Sequence, residues 1–567
     1  MKTRLTLIPI LIAVLTACGG AATVTPAPIV PPGPIAPTRP AATLAPSETP
    51  TPIGPLPTPV SPVIGLPQGT DGYPWWNDTV FYEIFVRSYA DSNGDGVGDL
   101  NGLISKLDYL KNLGITGLWL MPIHPSPSYH GYDVTDYYGV NPQYGTADDF
   151  KRLMSEAHAR GIRVIIDLVL NHTSIEHPWF QAALDPKSPF REWYVWSQTD
   201  PGQSGWHRAP TGDYYYGYFW EGMPDLNYRA PAVTEQMNDI VRFWLNDMGV
   251  DVFRLDAAKY LIEDGTSIQN TDATHQWYKN FRPVYTALKP QAMTIGEVWD
   301  VAPTAASYAQ GDQLDLTFNF DLAQAFILAA RTGRAEEAVK ALNIGLNNFK
   351  PLQFGTFLTN HDQNRVMSQI GANLDKAKVG ALLYLTAPGV PFVYYGEEIG
   401  LSGKKPDEDL RTPMQWSNEA NGGFTTGTPW RAVNADYAER NVSTQIDNPA
   451  SLLSLYRTLI RLRGQHAALR VGDFTAIKAS NASVFASLRV SKEEAVLIII
   501  NLSKDPVKDV TLNLDQSSLA SGDYRAALLL GDGPIANLTV TAQGGFAQYQ
   551  PLSSLPGFSG VIVQLQK

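Results

Sequence analysis

The chain has 567 residues, of which 44% are hydrophobic and 17% charged, with 47 glycines, 42 prolines and one cysteine. This composition indicates a globular protein with more than one core and excludes a disordered, collagen-like or multi-pass membrane chain. The formal charge of −12 provides no cationic surface for a phosphate backbone, so we expect no nucleic-acid partner.

The start of the chain has the pattern of a secretory signal. Lys2 and Arg4 form a basic start, an apolar run follows over residues 5–15, and Leu15-Thr16-Ala17-Cys18 ends the segment. This tetrapeptide is similar to a bacterial lipobox, in which the cysteine becomes the lipidated first residue of the mature protein. We therefore expect attachment to a membrane only through a lipid anchor at Cys18, on the extracellular face of the cell envelope. The alternative is an ordinary cleaved signal and a secreted protein.

Residues 19–70 form a proline-rich segment. They contain 15 prolines among Ala, Thr and Val, and Arg39 and Glu48 are their only charged residues. Such a composition cannot bury enough apolar surface to offset its ordering entropy, and its prolines favour extended conformations. We interpret residues 1–18 as a signal peptide and 19–70 as a linker, and we expect folded structure from residue 71.

From residue 71, apolar runs typical of β-strands alternate with amphipathic helical patterns. The runs are almost continuously hydrophobic, as expected of parallel strands covered by helices. They lie at residues 80–86, 115–122, 162–170, 250–255, 293–298, 314–320, 354–359 and 390–395. Eight strand–helix units predict an α/β fold, a (β/α)8 TIM barrel over residues 71–170 and 230–468. Its last long helix, which carries Leu452 and Leu459, is expected to open at Asn448-Pro449.

The connection after the third strand breaks this rhythm. Residues 171–229 contain no helical pattern of useful length, and a loop this long is usually functional. Its aromatic residues are Trp179, Trp193, Trp196, Trp206, Tyr214, Tyr215, Tyr216, Tyr218 and Trp220. Aromatic faces stack on the apolar faces of sugars, but an inserted domain with a small core of its own explains them equally well. We interpret the segment as an inserted domain in which both explanations can hold.

Residues 469–567 show short alternating strands separated by turn-forming residues. This pattern predicts an antiparallel β-sandwich as a C-terminal domain, without obvious chemistry. The one cysteine of the chain excludes an intramolecular disulfide and a Cys-based zinc site.

Polar residues follow four of the predicted barrel strands at the points where they end. The third strand runs into Asp167-Leu168-Val169-Leu170-Asn171-His172, the fourth ends in Phe253-Arg254-Leu255-Asp256, the fifth in Gly296-Glu297 and the seventh in Thr359-Asn360-His361-Asp362. Reactive groups in barrels of this class lie at the carboxyl ends of the strands. We therefore expect Asp256, Glu297 and Asp362 to converge on one mouth.

Carboxylates that meet at one site suit the cleavage of a glycosidic bond. One must protonate the leaving oxygen, while another, ionised, faces the developing oxocarbenium ion. Arg254 lies two residues before Asp256, on the same strand face, and would keep that aspartate ionised as a nucleophile. A lone carboxylate at a barrel end is more often a salt-bridge partner. Four strand ends that supply three acids, an arginine and two histidines indicate a catalytic site instead.

Four segments in this order and spacing closely resemble the signature regions of the α-amylase family of glycoside hydrolases, family 13. They are DLVLNH at 167–172, VFRLDAAK at 252–259, GEVW at 296–299 and FLTNHD at 357–362. The resemblance covers residues 71 to 567, with a domain inserted after the third strand and a C-terminal β-domain. It implies that Asp256 is the nucleophile, Glu297 the general acid/base and Asp362 the group that distorts and holds the sugar. Because the family retains anomeric configuration, the two reacting carboxyl groups should lie about 5 to 5.5 Å apart.

The same resemblance implies further contacts with the substrate. Arg254, His172 and His361 would contact the sugar or orient the carboxylates, Tyr132 would stack beneath the sugar, and Lys259 would contact the leaving-group side. Asp167 would be mainly structural.

Two further matches refine this placement. Met223-Pro224-Asp225-Leu226-Asn227 resembles the additional motif near the end of the inserted domain, in a form between that of oligo-1,6-glucosidases and that of neopullulanases. This form implies the intermediary group of the family. Tyr260 stands where typical α-amylases have histidine, so the resemblance does not carry over the calcium, with Asn171 as a ligand, that they hold between barrel and inserted domain.

The string DSNGDGVGD at residues 91–99 supplies oxygen ligands at alternating positions, with glycines that allow a tight turn around a hard cation. Position twelve is Gly102 and not a bidentate glutamate, so we do not expect a closed EF-hand. The string is similar to the calcium loop after the first strand in relatives of oligo-1,6-glucosidase. That resemblance implies a structural Ca²⁺ bound by Asp91, Asn93, Asp95, Asp99 and the carbonyl group of Val97. The alternative is a solvated turn.

The segment LRTPMQW at 410–416 resembles the region after strand eight in exo-acting α-glucosidases and trehalose synthases. There the arginine, here Arg411, pairs with an aspartate that matches Asp133 and grips a terminal glucose. If that pair forms, short chains or chain ends are the preferred substrates. The sequence therefore leaves endo and exo action open.

Together these observations predict a monomeric bacterial lipoprotein α-amylase that cleaves α-1,4-glucosidic bonds of starch and maltodextrins by double displacement. The alternatives among enzymes are an exo-acting α-glucosidase, a cyclomaltodextrinase or neopullulanase, and a trehalose-forming transglycosylase. An alternative of another class is a non-catalytic glucan-binding surface lipoprotein. Catalytically dead relatives normally lack one of the three acids, and none is missing here.

Overall fold

The computed structural model describes residues 69–567. The predicted signal peptide, its Cys18 and nearly all of the predicted linker lie outside the described residues. Among the residues described, no helix combines the length and the apolar character needed to cross a membrane.

Eleven strands lie between residues 69 and 400, and eight of them form one parallel sheet. Their bounds are β1 (Phe81–Ile84), β2 (Gly117–Leu120), β3 (Arg163–Leu168), β4 (Trp196–Ser197), β5 (Trp206–Arg208), β6 (Tyr214–Tyr216), β7 (Val252–Leu255), β8 (Met293–Gly296), β9 (Leu316–Thr317), β10 (Gly355–Thr356) and β11 (Val390–Tyr394). The sheet has the order β10-β11-β1-β2-β3-β7-β8-β9. A parallel bridge between Phe318 and Gly355 joins its two outer strands. The predicted (β/α)8 barrel is thereby confirmed.

Helices follow the barrel strands and cover their outer faces. Their bounds are α1 (Val86–Tyr89), α2 (Leu100–Ser105), α3 (Leu107–Leu113), α4 (Ala147–Ala159), α5 (Pro178–Ala183), α6 (Pro231–Arg242), α7 (Asp272–Leu288), α8 (Ala302–Ser307), α9 (Phe320–Thr332), α10 (Glu336–Asn348), α11 (Val366–Gln369), α12 (Leu374–Thr386), α13 (Asp407–Leu410), α14 (Val442–Gln445), α15 (Leu452–Gln465) and α16 (Ala467–Val471). The opening predicted for α15 at Asn448-Pro449 is wrong, because the side chain of Ser451 caps this helix by accepting the amide of Ser454.

The two faces of each barrel strand bury different side chains. In β7, Phe253 and Leu255 pack outward under the helices, whereas Val252 joins an apolar cluster inside the barrel. Arg254 therefore also points inward, one layer nearer the carboxyl end, since side chains alternate along a strand. The neighbouring strand aligns Asp167 with Arg254 in register. The alternation thus places a polar layer on top of the apolar barrel interior.

The segment between β3 and α6 has a small core of its own. Strands β4, β6 and β5 form a three-stranded antiparallel sheet, which packs against α5 through aromatic side chains. The ring of Phe180 lies 5.0 Å from Tyr194 and 4.9 Å from Tyr215, and all three side chains are buried. Several of the aromatic residues singled out in the sequence therefore have a structural role.

The C-terminal part of the chain is antiparallel. Its strands are β12 (Asp473–Ala479), β13 (Val484–Val490), β14 (Ala495–Asn501), β15 (Val507–Lys508), β16 (Leu512–Leu514), β17 (Gly522–Leu530), β18 (Leu538–Val540), β19 (Phe546–Tyr549), β20 (Ser554–Leu555) and β21 (Ser559–Gln566). Eight of them form a sheet in the order β18-β17-β21-β14-β13-β12-β16-β19, and β15 pairs with β20. Strands β15 and β16 are short and lie only four residues apart, so the chain changes from one sheet to the other between them.

Candidate active site

A cavity of 420 Å³ opens at the carboxyl ends of the barrel strands. Its walls combine carboxylates, cations and aromatic rings. The lining residues are His130, Tyr132, His172, Phe219, Trp220, Met223, Asp256, Ala257, Lys259, Tyr260, Glu297, Trp299, Asp362, Asp407 and Arg411. The three predicted acids, Asp256, Glu297 and Asp362, therefore face one space.

Arg254 organises the floor of this cavity. One terminal nitrogen of its guanidinium group donates to Asp256 and to Asp167, both at 2.7 Å, and the other donates to Glu297 at 2.7 Å. The guanidinium group is fully buried, so each of these charge-assisted bonds is shielded from water. Asp256 and Glu297 are thus anchored side by side on a single cation, and Asp167 supports that cation from below.

The environment shifts the acidity of both carboxyl groups. Burial raises the pKa of Asp256 to about 6, although the charge of Arg254 opposes this shift. Burial also raises the pKa of Glu297, and the nearby charge of Asp256 raises it further. A raised pKa on one carboxyl group and an ionised partner are the conditions that acid-assisted cleavage of a glycosidic bond requires.

Asp362 has the opposite character. Its carboxylate lies 3.1 Å from Nε2 of His361 and accepts a hydrogen bond of 2.9 Å from Arg411. The charges of these two groups lower the pKa of Asp362 in spite of its burial. Asp362 therefore favours the ionised form, which suits the binding of sugar hydroxyl groups better than proton donation.

His361 connects Asp362 to the barrel interior. Its Nδ1 lies 2.5 Å from Oε1 of Glu83, and its Nε2 lies 2.7 Å from the hydroxyl group of Tyr132. Burial alone would lower the pKa of His361, but the negative charges of Asp362 and Glu83 raise it to about 9. The ring of Tyr132 stacks on that of His361, with centroids 5.6 Å apart. Tyr132 and His361 therefore lie in contact at the base of the cavity.

Glu83 is a site residue that the sequence reasoning missed. It lies in β1 two residues after Phe81, and Phe81 belongs to the apolar cluster inside the barrel. Glu83 therefore points inward, at the level of the polar layer. An acidic side chain at the inward position of an otherwise apolar strand was the available signal.

The ion pair between Asp133 and Arg411 that the resemblance implies is not formed. Asp133 instead accepts hydrogen bonds from the hydroxyl groups of Ser126, at 2.5 Å, and Ser128. Arg411 is bound to Asp362 and has Asp407 as a more distant partner at 3.7 Å. The carboxylate of Asp133 thus binds nearby serine hydroxyl groups, whereas the guanidinium group of Arg411 binds Asp362.

His172 and Lys259 both line the cavity, as predicted. Burial lowers the pKa of His172 to about 3, so the imidazole is neutral, and its buried Nε2 has no hydrogen-bond partner among the described residues. Nζ of Lys259 donates to the carbonyl group of Trp299 at 2.7 Å and lies 3.4 Å from Asp300. His172 thus offers an unused polar atom, while Lys259 ties the loop after β8 to the loop after β7.

Three exposed aromatic rings stand at the rim of the cavity, and of these only Trp220 was a sequence candidate for sugar stacking. Phe219, Trp220 and Trp299 are 45%, 48% and 44% exposed, whereas most large apolar side chains of the protein are buried. The ring of Trp299 lies on that of Phe320 at a centroid distance of 4.7 Å and an angle of 7°, which leaves its other face open. Open rings beside the acids provide surfaces on which sugar units can stack.

The predicted calcium loop has a compact conformation. Asp91 accepts the backbone amides of Asn93, Gly94 and Gly96 at 2.8 to 3.0 Å, while Asp99 accepts the amide and hydroxyl groups of Ser92 and caps α2. All the predicted donors are hard oxygen atoms, as calcium prefers. In residues 69–567, however, no three or more His, Cys, Asp or Glu side chains converge as metal ligands. The calcium therefore stays a prediction of the sequence.

Comparisons with known proteins agree with this geometry. A family model described as the catalytic domain of alpha-amylase matches residues 83–472. Alpha-amylase 3 of Dictyoglomus thermophilum is 42% identical over 439 residues, which cover 76% of this chain and 86% of that protein. The trehalose synthase/amylase of Mycolicibacterium smegmatis is 37% identical over 528 residues, 80% of this chain and 87% of that protein.

Among solved structures, the alpha-amylase from H. orenii is similar, with a TM-score of 0.75 and 40% sequence identity. The match covers 86% of this chain and 99% of the other. The similarity therefore extends over most of this chain and nearly the whole of the solved one.

Proposed function

This chain belongs to the α-amylase family of glycoside hydrolases, and we propose that it cleaves α-1,4-glucosidic bonds of starch, maltodextrins and related α-glucans by double displacement. The observation that carries the proposal is the attachment of Asp256 and Glu297 to the two terminal nitrogens of Arg254, at 2.7 Å each. Two carboxyl groups held side by side at the end of a cavity can serve one glycosidic bond, as nucleophile and as acid.

In the first step, the carboxylate of Asp256 attacks the anomeric carbon while Glu297 donates its proton to the leaving oxygen. The bond to the leaving sugar breaks and a glycosyl ester of Asp256 forms. The hydrogen bond from Arg254 and a pKa of about 6 keep Asp256 ionised at neutral pH. Burial holds the proton on Glu297 to a higher pH than on an exposed glutamate.

In the second step, Glu297 removes a proton from an incoming water molecule, whose oxygen attacks the anomeric carbon and releases Asp256. Each substitution inverts the configuration at that carbon, so the product retains the configuration of the substrate. If another sugar hydroxyl group takes the place of water, the product is a new glycoside. Asp362, held as an anion by His361 and Arg411, binds sugar hydroxyl groups throughout.

We also propose a structural Ca²⁺ in the loop at residues 91–99. Its support is the set of oxygen donors Asp91, Asn93, Asp95, Asp99 and the Val97 carbonyl group at alternating positions. The ion would fix the loop after β1 and supply no step of the reaction. The loop is already packed against the segment that follows α13, through the amide of Asp91 and the carbonyl group of Phe424 at 3.0 Å.

We further propose that the mature chain is held at the extracellular face of the cell envelope by a lipid on Cys18. Its support is the lipobox-like tetrapeptide that ends there. A polymer too large to import must be shortened outside the cell, which such an anchor permits. Cys18→Ser should move the protein from the membrane fraction to the soluble fraction. An unchanged distribution would contradict the anchor.

The test of the main proposal is product chromatography with starch, maltotriose, pullulan and maltose. The wild-type protein should release maltooligosaccharides from starch, with the α-anomer formed first. Asp256→Asn should lower turnover by at least roughly a thousandfold while the protein stays folded. Asp136→Asn, which changes an exposed carboxylate outside the cavity, is the matched control and should retain full activity. Appreciable turnover by Asp256→Asn would overturn the assignment.

Exo action, including trehalose formation, is the second candidate. It is favoured by the buried position of Arg411 in the cavity wall beside Asp362, where it can grip a chain end. A relative at 37% identity is a trehalose synthase/amylase. Trehalose released from maltose, or glucose as the first product from starch, would select this candidate over internal cleavage.

A further inference from the structure

A second cavity, of 470 Å³, lies beside the small sheet of the inserted segment. Its walls come from β4–β6, from residues 226–229 and from residues 261–268, and no described residue lines both this cavity and the catalytic one. Its volume is within the range of small-molecule sites in proteins. The two cavities have one segment in common, because Lys259 and Tyr260 line the first and Glu263 lines the second.

Aromatic side chains provide the apolar surface of this second cavity. Trp206 and Tyr216 stand as neighbours on β5 and β6, with ring centroids 5.4 Å apart and an angle of 56°. The rings thus form a bent wall, and Trp206 is only half-buried. Such a wall matches the apolar faces of a sugar, which carry C–H groups, better than it matches a charged ligand.

Trp196 contributes an edge instead of a face. One of its faces is covered by the ring of Phe180, at 5.6 Å and 10°, and the other by the guanidinium group of Arg191, at 3.5 Å. Its Nε1 is buried and has no hydrogen-bond partner among the described residues. A buried donor without a partner is costly in a protein interior. Because Trp196 lines the cavity, we expect a hydroxyl oxygen of a bound sugar to be the acceptor for this donor.

Two more polar groups in the walls have no side-chain partner among the described residues. Within residues 69–567, neither the carboxyl group of Glu263 nor the hydroxyl group of Tyr216 forms a hydrogen bond or ion pair with another side chain. Burial raises the pKa of Glu263 to about 7, so near neutral pH its carboxyl group can both accept and donate a hydrogen bond. These groups suit hydroxyl groups, which also do both.

The charges of the cavity exclude strongly ionic ligands. Glu263 and Arg229 are the only acidic and basic residues in its walls. The guanidinium group of Arg229 is already engaged by the carbonyl group of Glu263, at 2.6 Å, and lies 3.6 Å from Asp264. A phosphate would find one cation only, which already faces Asp264, and a metal ion would find one carboxyl group only. The chemistry therefore favours a neutral polyhydroxy ligand.

We propose that this cavity is a second α-glucan-binding site, which holds sugar units of the substrate away from the point of cleavage. The ligand class rests on the proposed function, whereas the existence of a sugar site rests on the cavity itself. Because Lys259 and Tyr260 line the catalytic cavity and residues 261–263 of the same segment line the second, a glucan bound here would keep the chain close to Asp256 and Glu297 without contacting either acid.

Binding and cleavage can be measured separately. In the Glu297→Gln background, titration calorimetry with maltoheptaose should give two binding sites, and addition of Trp206→Ala should leave one. Migration through a gel that contains soluble starch should be retarded at least threefold less by Trp206→Ala than by the parent. Hydrolysis of a nitrophenyl maltotrioside, which reaches only the catalytic cavity, should stay within twofold in otherwise wild-type Trp206→Ala. The matched control is Tyr138→Ala, which changes an aromatic residue 39% exposed and outside both cavities, and it should change none of these values.

A second variant guards against misfolding of the first. Ile268→Trp adds bulk at an exposed position of the cavity wall and should abolish the second site in the same way. One site in the Glu297→Gln parent, or two sites in both cavity variants, would overturn the proposal. If the wild-type protein releases no sugar from maltoheptaose, the proposed function fails, and the number of binding sites still decides whether the second cavity holds a glucan.

Discussion

Glu83 and His361 are joined at the base of the catalytic cavity by a contact of 2.5 Å between Oε1 and Nδ1, and both side chains are buried. The two residues lie 278 positions apart in the chain, on β1 and after β10. Because His361 also contacts Asp362, it stands between two carboxylates, and its pKa is raised to about 9. Glu83 is therefore a positioning residue that keeps His361 a cation.

Glu83→Gln should convert His361 to the neutral imidazole at neutral pH. Removal of one of its two negative partners lowers the pKa of His361 from about 9 toward its ordinary value. The reason is that burial disfavours the charged imidazole and only Asp362 is then left to offset that effect. Nitrogen NMR of labelled histidine should show this shift, and kcat/KM should fall by roughly tenfold or more, since Asp362 loses a cation. Glu83→Asp, which keeps the negative charge, should restore part of the raised pKa of His361 and part of kcat/KM. A His361 resonance that still titrates near pH 9 in Glu83→Gln would contradict the role.

The acid side of the pH–rate profile should be set by Asp256. A nucleophile must be ionised, and the pKa of Asp256 is raised to about 6. We expect kcat/KM to fall tenfold per pH unit below about pH 6, while the protein stays folded. In Arg254→Lys, the shorter lysine side chain offers a single point charge and stabilises the Asp256 carboxylate less. The acid side of the kcat/KM profile should therefore move to higher pH. A limb near pH 4 in the wild-type protein would contradict this assignment.

Stability should fall as the pH rises from about 4.5 to about 8 because of Glu397. This residue is fully buried after β11, where its carboxyl group accepts hydrogen bonds from the hydroxyl groups of Tyr384, at 2.9 Å, and Tyr456, at 2.8 Å. In the part of the chain that the structure describes, no cation forms an ion pair with it. Burial raises its pKa to about 8 from an ordinary value of 4.5. The unfolded chain therefore ionises first, and the folded state loses up to roughly 1.4 kcal/mol per pH unit between these two values.

Glu397→Gln removes this ionisation and keeps an oxygen acceptor for both tyrosines. Its melting temperature should exceed that of the wild type at pH 8, and the difference should shrink as the pH falls toward 4.5. Scanning calorimetry at a series of pH values measures the effect. Glu336→Gln, at a highly exposed position, is the control and should show no such dependence. A difference that is constant with pH would refute ionisation as its cause.

Calcium should stabilise the protein through the loop at residues 91–99. A ligand that binds only the folded state raises the free energy of unfolding, by about 2.7 kcal/mol at a concentration one hundred times its Kd. We therefore expect a chelator to lower the melting temperature and added Ca²⁺ to restore it. Asp95→Asn, which removes one charged donor, should reduce the restoration. A melting temperature insensitive to both chelator and Ca²⁺ would leave the loop as a solvated turn.

The barrel strands were predictable because each is a continuous apolar run, and all eight predicted runs contain a strand. The lengths of the strands could not be predicted, because a strand ends where the neighbouring strand diverges from it and pairing stops. The run at residues 314–320 forms only the two-residue strand Leu316–Thr317. Likewise, Asn448 and Ser451 are both competent helix caps, but the side chain of Asn448 accepts the amide of Ala450 in the preceding turn. Ser451 is then the residue that caps the helix.

The sequence by itself determined which side chains end the strands, because Asp256, Glu297 and Asp362 each follow an apolar run at a short and fixed distance. Only the tertiary structure decided their partners. Arg411 binds Asp362 and not Asp133, because the hydroxyl groups of Ser126 and Ser128 donate hydrogen bonds to Asp133. Glu83 contacts His361 only because the closed barrel brings β1 next to the end of β10. Residue order along a strand is local information, whereas the choice among several charges depends on which of them folding brings within hydrogen-bond distance.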